Sequence, residues 1–227
     1  MSEQEYQGGE RRPIASRDLA ISRRTASWLA ERGVSPNAIS IAGMLAAIAG
    51  GFALWGTSIG GGIVRPLWLF AAAMAQLRLL ANMFDGMVAI QRQVASPLGE
   101  LYNEVPDRIS DAAMFIGLGF ATGGEPLLGC GAALSAVFTA YVRAMAKVAG
   151  APQDFCGPMA KPQRMFVVTV LAVYCALAPN AWQPMWLVAD RTFGLASVAL
   201  AIILIGSLWT AMRRLVRTAR YLKAHRQ

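Results

Sequence analysis

Two stretches of this chain, 37–55 and 193–212, contain no Asp, Glu, Lys or Arg. A helix needs about 20 mainly apolar residues to cross the hydrocarbon core of a bilayer. Inside that core every backbone N–H and C=O must be paired within the segment, so runs of this kind read as spanning helices. The composition agrees. Of 227 residues 56% are hydrophobic and 15% charged, where a soluble domain carries about 25% charged residues. Mean hydropathy is +0.43. These values argue against a soluble, disordered or disulfide-stapled chain. Cys130, Cys156 and Cys175 show no paired spacing.

Four further apolar segments join the first two. The predicted spans are 37–55, about 66–89, about 99–121, about 126–148, about 165–177 (extending to about 182) and 193–212. Ser35-Pro36 and Ser96-Pro97 read as N-caps with proline at the first helical position. Trp55, Trp68, Trp182 and Trp186 fall near span ends and read as an interfacial belt. Residues 17–34 predict an amphipathic helix on the membrane surface, with Leu19, Ala26, Trp28 and Leu29 dipping into lipid. The expected fold class is therefore an all-α integral membrane protein, six transmembrane helices preceded by an N-terminal amphipathic surface helix. Its expected divisions are a disordered tail at 1–16, the surface helix at 17–34, the six-helix domain at 35–213 and a basic tail at 214–227.

Charge orients the set. The formal net charge is +8, from 21 Lys and Arg against 13 Asp and Glu. Arg11, Arg12, Arg17, Arg23, Arg24 and Arg32 precede the first span, and Arg213, Arg214, Arg217, Arg220, Lys223 and Arg226 follow the last. An even number of spans puts both groups on one side, which the positive-inside rule makes cytoplasmic. The expected location is a bacterial inner membrane, with both termini and the site facing cytoplasm. The tail reads as a partner for anionic headgroups of the bilayer. Without a recognisable module, nucleic acid is not an expected partner.

Ionisable residues inside spans are costly and usually functional. Here they form two stripes. Arg78, Asn82, Asp85 and Ala89 follow steps of four, three and four along one helix face. Gly99, Asn103, Asp107 and Asp111 follow steps of four along another. Both lie at similar depth near the cytoplasmic side. Oxygen ligands converging from two helices suit a hard divalent cation, Mg²⁺ or Mn²⁺. Such an ion can bridge substrate phosphates during phosphoryl transfer. Gly86 leaves room for a ligand beside Asp85. The plainer reading is a salt-bridge network built on Arg78 and Arg108. Arg143 and Lys147, with Lys161 and Arg164 at the start of the fifth span, read as an anion site or as interfacial anchors.

These residues carry a family resemblance. The run Asn82-Met-Phe-Asp85-Gly86-Met-Val-Ala89, then Gly99, Asn103 and Asp107, resembles the CDP-alcohol phosphotransferase signature D-x2-D-G-x2-A-R-x8-G-x3-D-x3-D. Ser35-Pro-Asn37-Ala-Ile-Ser40 is similar to the family's entry motif, and Tyr141-Val-Arg143-Ala144 to its basic motif. The resemblance implies six spans and a reaction: a CDP-linked donor, usually CDP-diacylglycerol, gives its phosphatidyl group to a polar alcohol and releases CMP. It implies a divalent-metal cofactor, Mg or Mn, one or two ions, held by the signature positions Asn82, Asp85, Asn103 and Asp107. It implies donor contacts at Gly86, Ala89 and Gly99, and an acceptor zone at Arg143, Lys161 and Arg164. It leaves the acceptor alcohol unnamed and a homodimer open.

Three signature positions differ. Asn82 and Asn103 stand for aspartates, and Ile90 for the arginine. An asparagine oxygen can coordinate a metal but carries no charge. Asp111 lies one turn beyond Asp107, about 6 Å deeper. Arg92 lies two residues past the missing arginine. The catalytic pair is thus Asp107 and Asp111. If the acidic set is displaced by one turn, Asp111 is the general base; in the family register Asp107 is. A catalytically silent CDP-lipid-binding scaffold and a small ion or metabolite transporter are the alternatives. A transporter would be expected to show an inverted repeat or broken helices at midplane.

Overall fold

The structure is a computed structural model and describes residues 19–94 and 97–225. The expected disordered tail, with Arg11 and Arg12, lies outside the described residues, as do Arg17, Ser96 and Arg226. The described residues form seven α-helices: α1 (Ala20–Glu31), α2 (Pro36–Gly56), α3 (Val64–Gln91), α4 (Pro97–Gly119), α5 (Pro126–Val148), α6 (Lys161–Leu177) and α7 (Leu195–Ala224). A two-stranded hairpin, β1 (Met185–Val188) and β2 (Arg191–Gly194), precedes α7.

Local sequence explains the limits. Ser35 caps α2, its hydroxyl accepting from the Ala38 amide at 3.1 Å, with Pro36 as the first helical residue. Glu125 caps α5 in the same way, accepting from the Leu128 amide at 2.8 Å. The hairpin turns at Ala189 and Asp190, both with positive φ, the conformation a two-residue turn of this hand requires.

The helices close into a ring. α2 packs on α3 and α4, α4 on α5, α5 on α7, and α3 on α6, with a lighter α6–α7 contact completing the circle. α1 lies against α3. Small residues permit the tightest crossing: a Cβ on Gly51 would strike the Ala113 carbonyl, and one on Gly117 the Gly51 backbone. The interior is alanine-rich, filled out by Leu54, Trp68, Met114, Phe115, Leu118, Met165, Leu200 and Ile203. Large apolar side chains also cover the outside, among them Phe52, Leu134, Phe166, Ile205 and Trp209. A water-soluble surface would not carry so much exposed apolar area.

Among the described residues, four helical stretches are long and apolar enough to cross a membrane: Pro36–Ile59, Val64–Gln91, Pro126–Val148 and Leu195–Ala224. α6 has 17 residues, and α4 carries charges through its first half.

Several expectations need correction. The fold is mainly helical rather than all-α, because the segment before the last helix pairs as a hairpin. α3 and α4, whose stripes converge, do not pack along their length: they flank α2 and touch only slightly. Ala26 is fully buried against protein rather than in lipid, while Leu19 and Trp28 are exposed. Trp68 belongs to the core, not to an interfacial belt. The expected boundary at 213/214 falls inside α7, and Arg214 is buried, donating to the carbonyls of Cys156 at 2.9 Å and Thr139 at 3.3 Å. That residue serves the protein interior, not lipid headgroups.

Candidate active site

The site forms at the end of the ring where α3 and α5 finish and α2, α4 and α6 begin. α3 contributes Arg78, Asn82 and Asp85, each spaced to face the interior. α4 contributes Asn103, Asp107 and Asp111. The first turn of α6 contributes Lys161 and Arg164, and the second turn of α2 contributes Ser40.

Asn82 joins the two stripes. Its amide donates to Asn103 Oδ1 at 2.9 Å and to Asp107 Oδ1 at 3.2 Å. Asp107 is buried, and both Arg78 Nη2 and Lys161 Nζ pair with its Oδ1. Its Oδ2 is less crowded, with Arg108 at 3.7 Å. Asp85 is buried one turn away; Ser40 donates to its Oδ2 at 2.6 Å, and the Gly86 amide meets its Oδ1 at 2.5 Å. Asp111 sits deeper, 1% exposed, with Arg164 donating to its Oδ2 at 2.6 Å. Arg164 is itself buried and also donates to the Met159 carbonyl at 3.0 Å. Arg143 pairs with Glu104, which Arg108 also meets at 3.0 Å. Gly86 and Ala89 lie in the last two turns of α3, and Gly99 in the first turn of α4.

The structure thus brings together Asn82, Asp85, Asn103, Asp107, Asp111, Lys161 and Arg164, and places Arg143 at the rim. The salt-bridge network and the polar site are the same object. Arg92 does not belong to it: its guanidinium donates to the carbonyls of Gly33 and Val34, both at 3.0 Å, and locks the α1–α2 turn to the end of α3. It cannot replace the missing arginine. Sequence reasoning missed Ser40 as the partner of Asp85. The signal was present, since Ser40 ends the Ser35-Pro-Asn37-x-Ile-Ser40 motif and a cap at Ser35 places it one turn into α2.

The donor set suits a hard divalent ion. Two carboxylates and two amide oxygens from α3 and α4 are all hard oxygen ligands. Among the described residues no group of three or more His, Cys, Asp or Glu converges.

No family model matches the chain. Phosphatidylinositol phosphate synthase of Mycobacterium marinum is 32% identical over 193 residues, covering 78% of this chain and 77% of that one. The chain belongs to the CDP-alcohol phosphotransferase family. It is an enzyme of that class and an integral membrane protein. The Mycobacterium tuberculosis phosphatidylinositol phosphate synthase is 29% identical, over 91% of this CDP-alcohol phosphotransferase and 95% of that protein. The Escherichia coli inner membrane protein YnbA is 24% identical, over 86% of this chain and 89% of its own. The fold agrees. A crystal structure of the M. tuberculosis synthase with CDP-DAG bound superposes with a TM-score of 0.69 at 21% identity, covering 88% of this chain and 94% of that one. A second crystal structure of that synthase, in complex with manganese and citrate, gives 0.68.

Proposed function

We propose that this enzyme transfers the phosphatidyl group of CDP-diacylglycerol to a phosphate-bearing polyol, releasing CMP, as a step of phospholipid synthesis. The relatives named phosphatidylinositol phosphate synthase support the donor and the acceptor class. The observation that carries the reading is the convergence of Asn82, Asn103, Asp107 and Lys161 at the helix ends.

The roles follow from the contacts. Asn82, Asp85, Asn103 and Asp107 would hold Mg²⁺ or Mn²⁺, and Ser40 fixes the Asp85 carboxylate. When bound, the ion supplies neutralisation of charge on the donor pyrophosphate. Gly86, Ala89 and Gly99 give the donor close access to the α3 and α4 backbones. Asp107 Oδ2, the less encumbered oxygen, takes the proton from the acceptor hydroxyl as it attacks the phosphorus. That assignment replaces the displaced register. Asp111 is paired and buried, so its part is to anchor Arg164 at the N-terminal turn of α6. Lys161 and Arg143 receive the phosphate of the acceptor. Both hold carboxylates, Lys161 that of Asp107 and Arg143 that of Glu104, and both side chains are partly exposed, 14% and 22%, so a phosphate can compete for them.

α4 and α6 complete six spans, and α1 rests in the interface. Both termini and the site face cytoplasm, the side where the cations collect. In this reading the exposed Leu19, Ile21 and Trp28 of α1 meet lipid. A transporter is the weaker alternative, because the polar cluster sits at one end of the ring rather than at its middle.

The test is a product screen. Protein reconstituted with CDP-diacylglycerol and Mn²⁺ is offered inositol phosphate, glycerol phosphate, inositol, glycerol and serine, and the lipid products are separated. A new phospholipid with a phosphorylated polyol alone is the expected result. A product with serine or an unphosphorylated alcohol, and none with the phosphates, would overturn the acceptor class.

A further inference from the structure

We infer that Arg78 stands where a second divalent cation would otherwise be needed, so that this site takes a single metal ion. The inference rests on the metal-dependent reading above and concerns a residue to which that reading gives no role.

The argument begins with charge. Four carboxylates at the signature positions can balance two divalent ions. Asn82 and Asn103 remove two of those charges, and Asp85 and Asp107 keep two. Arg78 lies one turn before Asn82 on the same face of α3. Its side chain is 1% exposed, and its Nη2 pairs with Asp107 Oδ1. Its Nε donates to Ser110 Oγ at 2.8 Å, and that hydroxyl donates to the Pro106 carbonyl at 2.6 Å. Asp111 and Asp85 also act on the guanidinium through their charges.

Arg78 is fixed as well as close. It rises from mid-helix and is held against α4 at two points. Gly43 of α2 clears the space for it: a Cβ there would sit 3.3 Å from Arg78 Nη1 and 2.6 Å from Ala81 Cβ. Lys161 differs, being at a helix start and long enough to turn toward substrate. Arg78 is therefore a permanent positive charge beside Asp107. Arg78 and Lys161 together balance the charge of the two carboxylates. One divalent ion then makes the site cationic, which suits a pyrophosphate. A second ion would meet a buried guanidinium already seated on the carboxylate it needs. Arg78 acts as a positioning residue, holding Asp107 Oδ1 so that Oδ2 faces the substrate.

The test counts ions. The full-length protein in nanodiscs is titrated with Mn²⁺, free ion is followed by electron paramagnetic resonance, and CMP release is measured on the same preparation. One Mn²⁺ per chain is expected. The triple variant Arg78→Met/Asn82→Asp/Asn103→Asp, running as a single monodisperse peak, is expected to bind two. Two ions on the unmodified protein would overturn the inference and leave metal dependence standing. None, with CMP release undiminished by EDTA, would overturn the metal reading and this inference with it. A monodisperse triple variant that still binds one would also overturn it. If the triple variant fails to fold, the count on the unmodified protein decides.

Discussion

Asp107 and Asp111 show how one helical turn separates two kinds of aspartate. Both lie on the same face of α4, yet Asp107 meets Asn82 and Lys161, whereas Asp111 pairs with the buried Arg164. Asp107→Asn is expected to abolish CMP release while the protein stays folded. Asp111→Asn leaves a guanidinium buried without its partner, a loss of about 3–5 kcal/mol. Its thermal midpoint in detergent should fall, and some transfer activity should survive in the folded fraction. Unchanged melting with no activity would return the base to Asp111. A third aspartate reports on the loop between α5 and α6. Partial burial pushes the Asp154 carboxyl up, but the Cys156 amide at 2.8 Å, the Cys156 thiol and the Arg217 charge outweigh it and hold it below the usual carboxylate range. A depressed folded pKa stabilises above the unfolded value and loses that contribution as pH falls through the folded one. The stability gap between wild type and Asp154→Asn should therefore be present at neutral pH and close below about pH 4. A gap that persists unchanged at pH 3 would contradict this. At this scale the sequence showed which residues share a face, because helical period fixes that. It did not show which cation each carboxylate meets. Arg164 reaches Asp111 across 53 positions, and nothing local encodes that choice.

Elements were legible where their signals are local. The Ser35-Pro36 cap, the uncharged runs of α2 and α7 and the polar stripes of α3 and α4 follow from composition, capping chemistry and the 3.6-residue period. The hairpin was missed because its strands are short and its turn, Ala189-Asp190, lacks the glycine or asparagine that usually announces positive φ. The apolar run of α6 was placed at about 165, with Lys161 and Arg164 at its start; the helix begins at Lys161, with Pro162 in the first turn, where proline is compatible with a helix start. The packing of α2 between α3 and α4 was not legible either. Nothing local in the sequence pairs Gly51 with Gly117; only the fold brings their backbones together. Gly117→Leu should wedge α2 from α4 and cost about 1–3 kcal/mol or more. The measurement is the thermal midpoint in detergent micelles, and an unchanged midpoint would mean the helices do not approach so closely.

For the whole molecule the account is a ring of helices that carries its polar chemistry at one end and a hairpin at the other. The hairpin end is tied down by Gly194 and Ser197, whose amides donate to the Gly123 carbonyl at 2.8 and 3.0 Å. If both termini and the site face cytoplasm, Asn180→Cys and His225→Cys, introduced singly into a cysteine-free background, should label from opposite sides. A membrane-impermeant maleimide applied outside spheroplasts should modify the first and spare the second; labelling of both, or the reverse, would contradict the orientation. The central claim concerns the phosphorus. In proteoliposomes supplied with CDP-diacylglycerol carrying ³²P in the phosphate next to diacylglycerol, together with Mn²⁺ and a phosphorylated polyol, that label should pass into a new phospholipid. Unlabelled CMP should appear in equal amount, and Asp107→Asn should stop both. Label that stays in the donor, or appears as phosphatidic acid whether or not an acceptor is present, would contradict phosphatidyl transfer by this site.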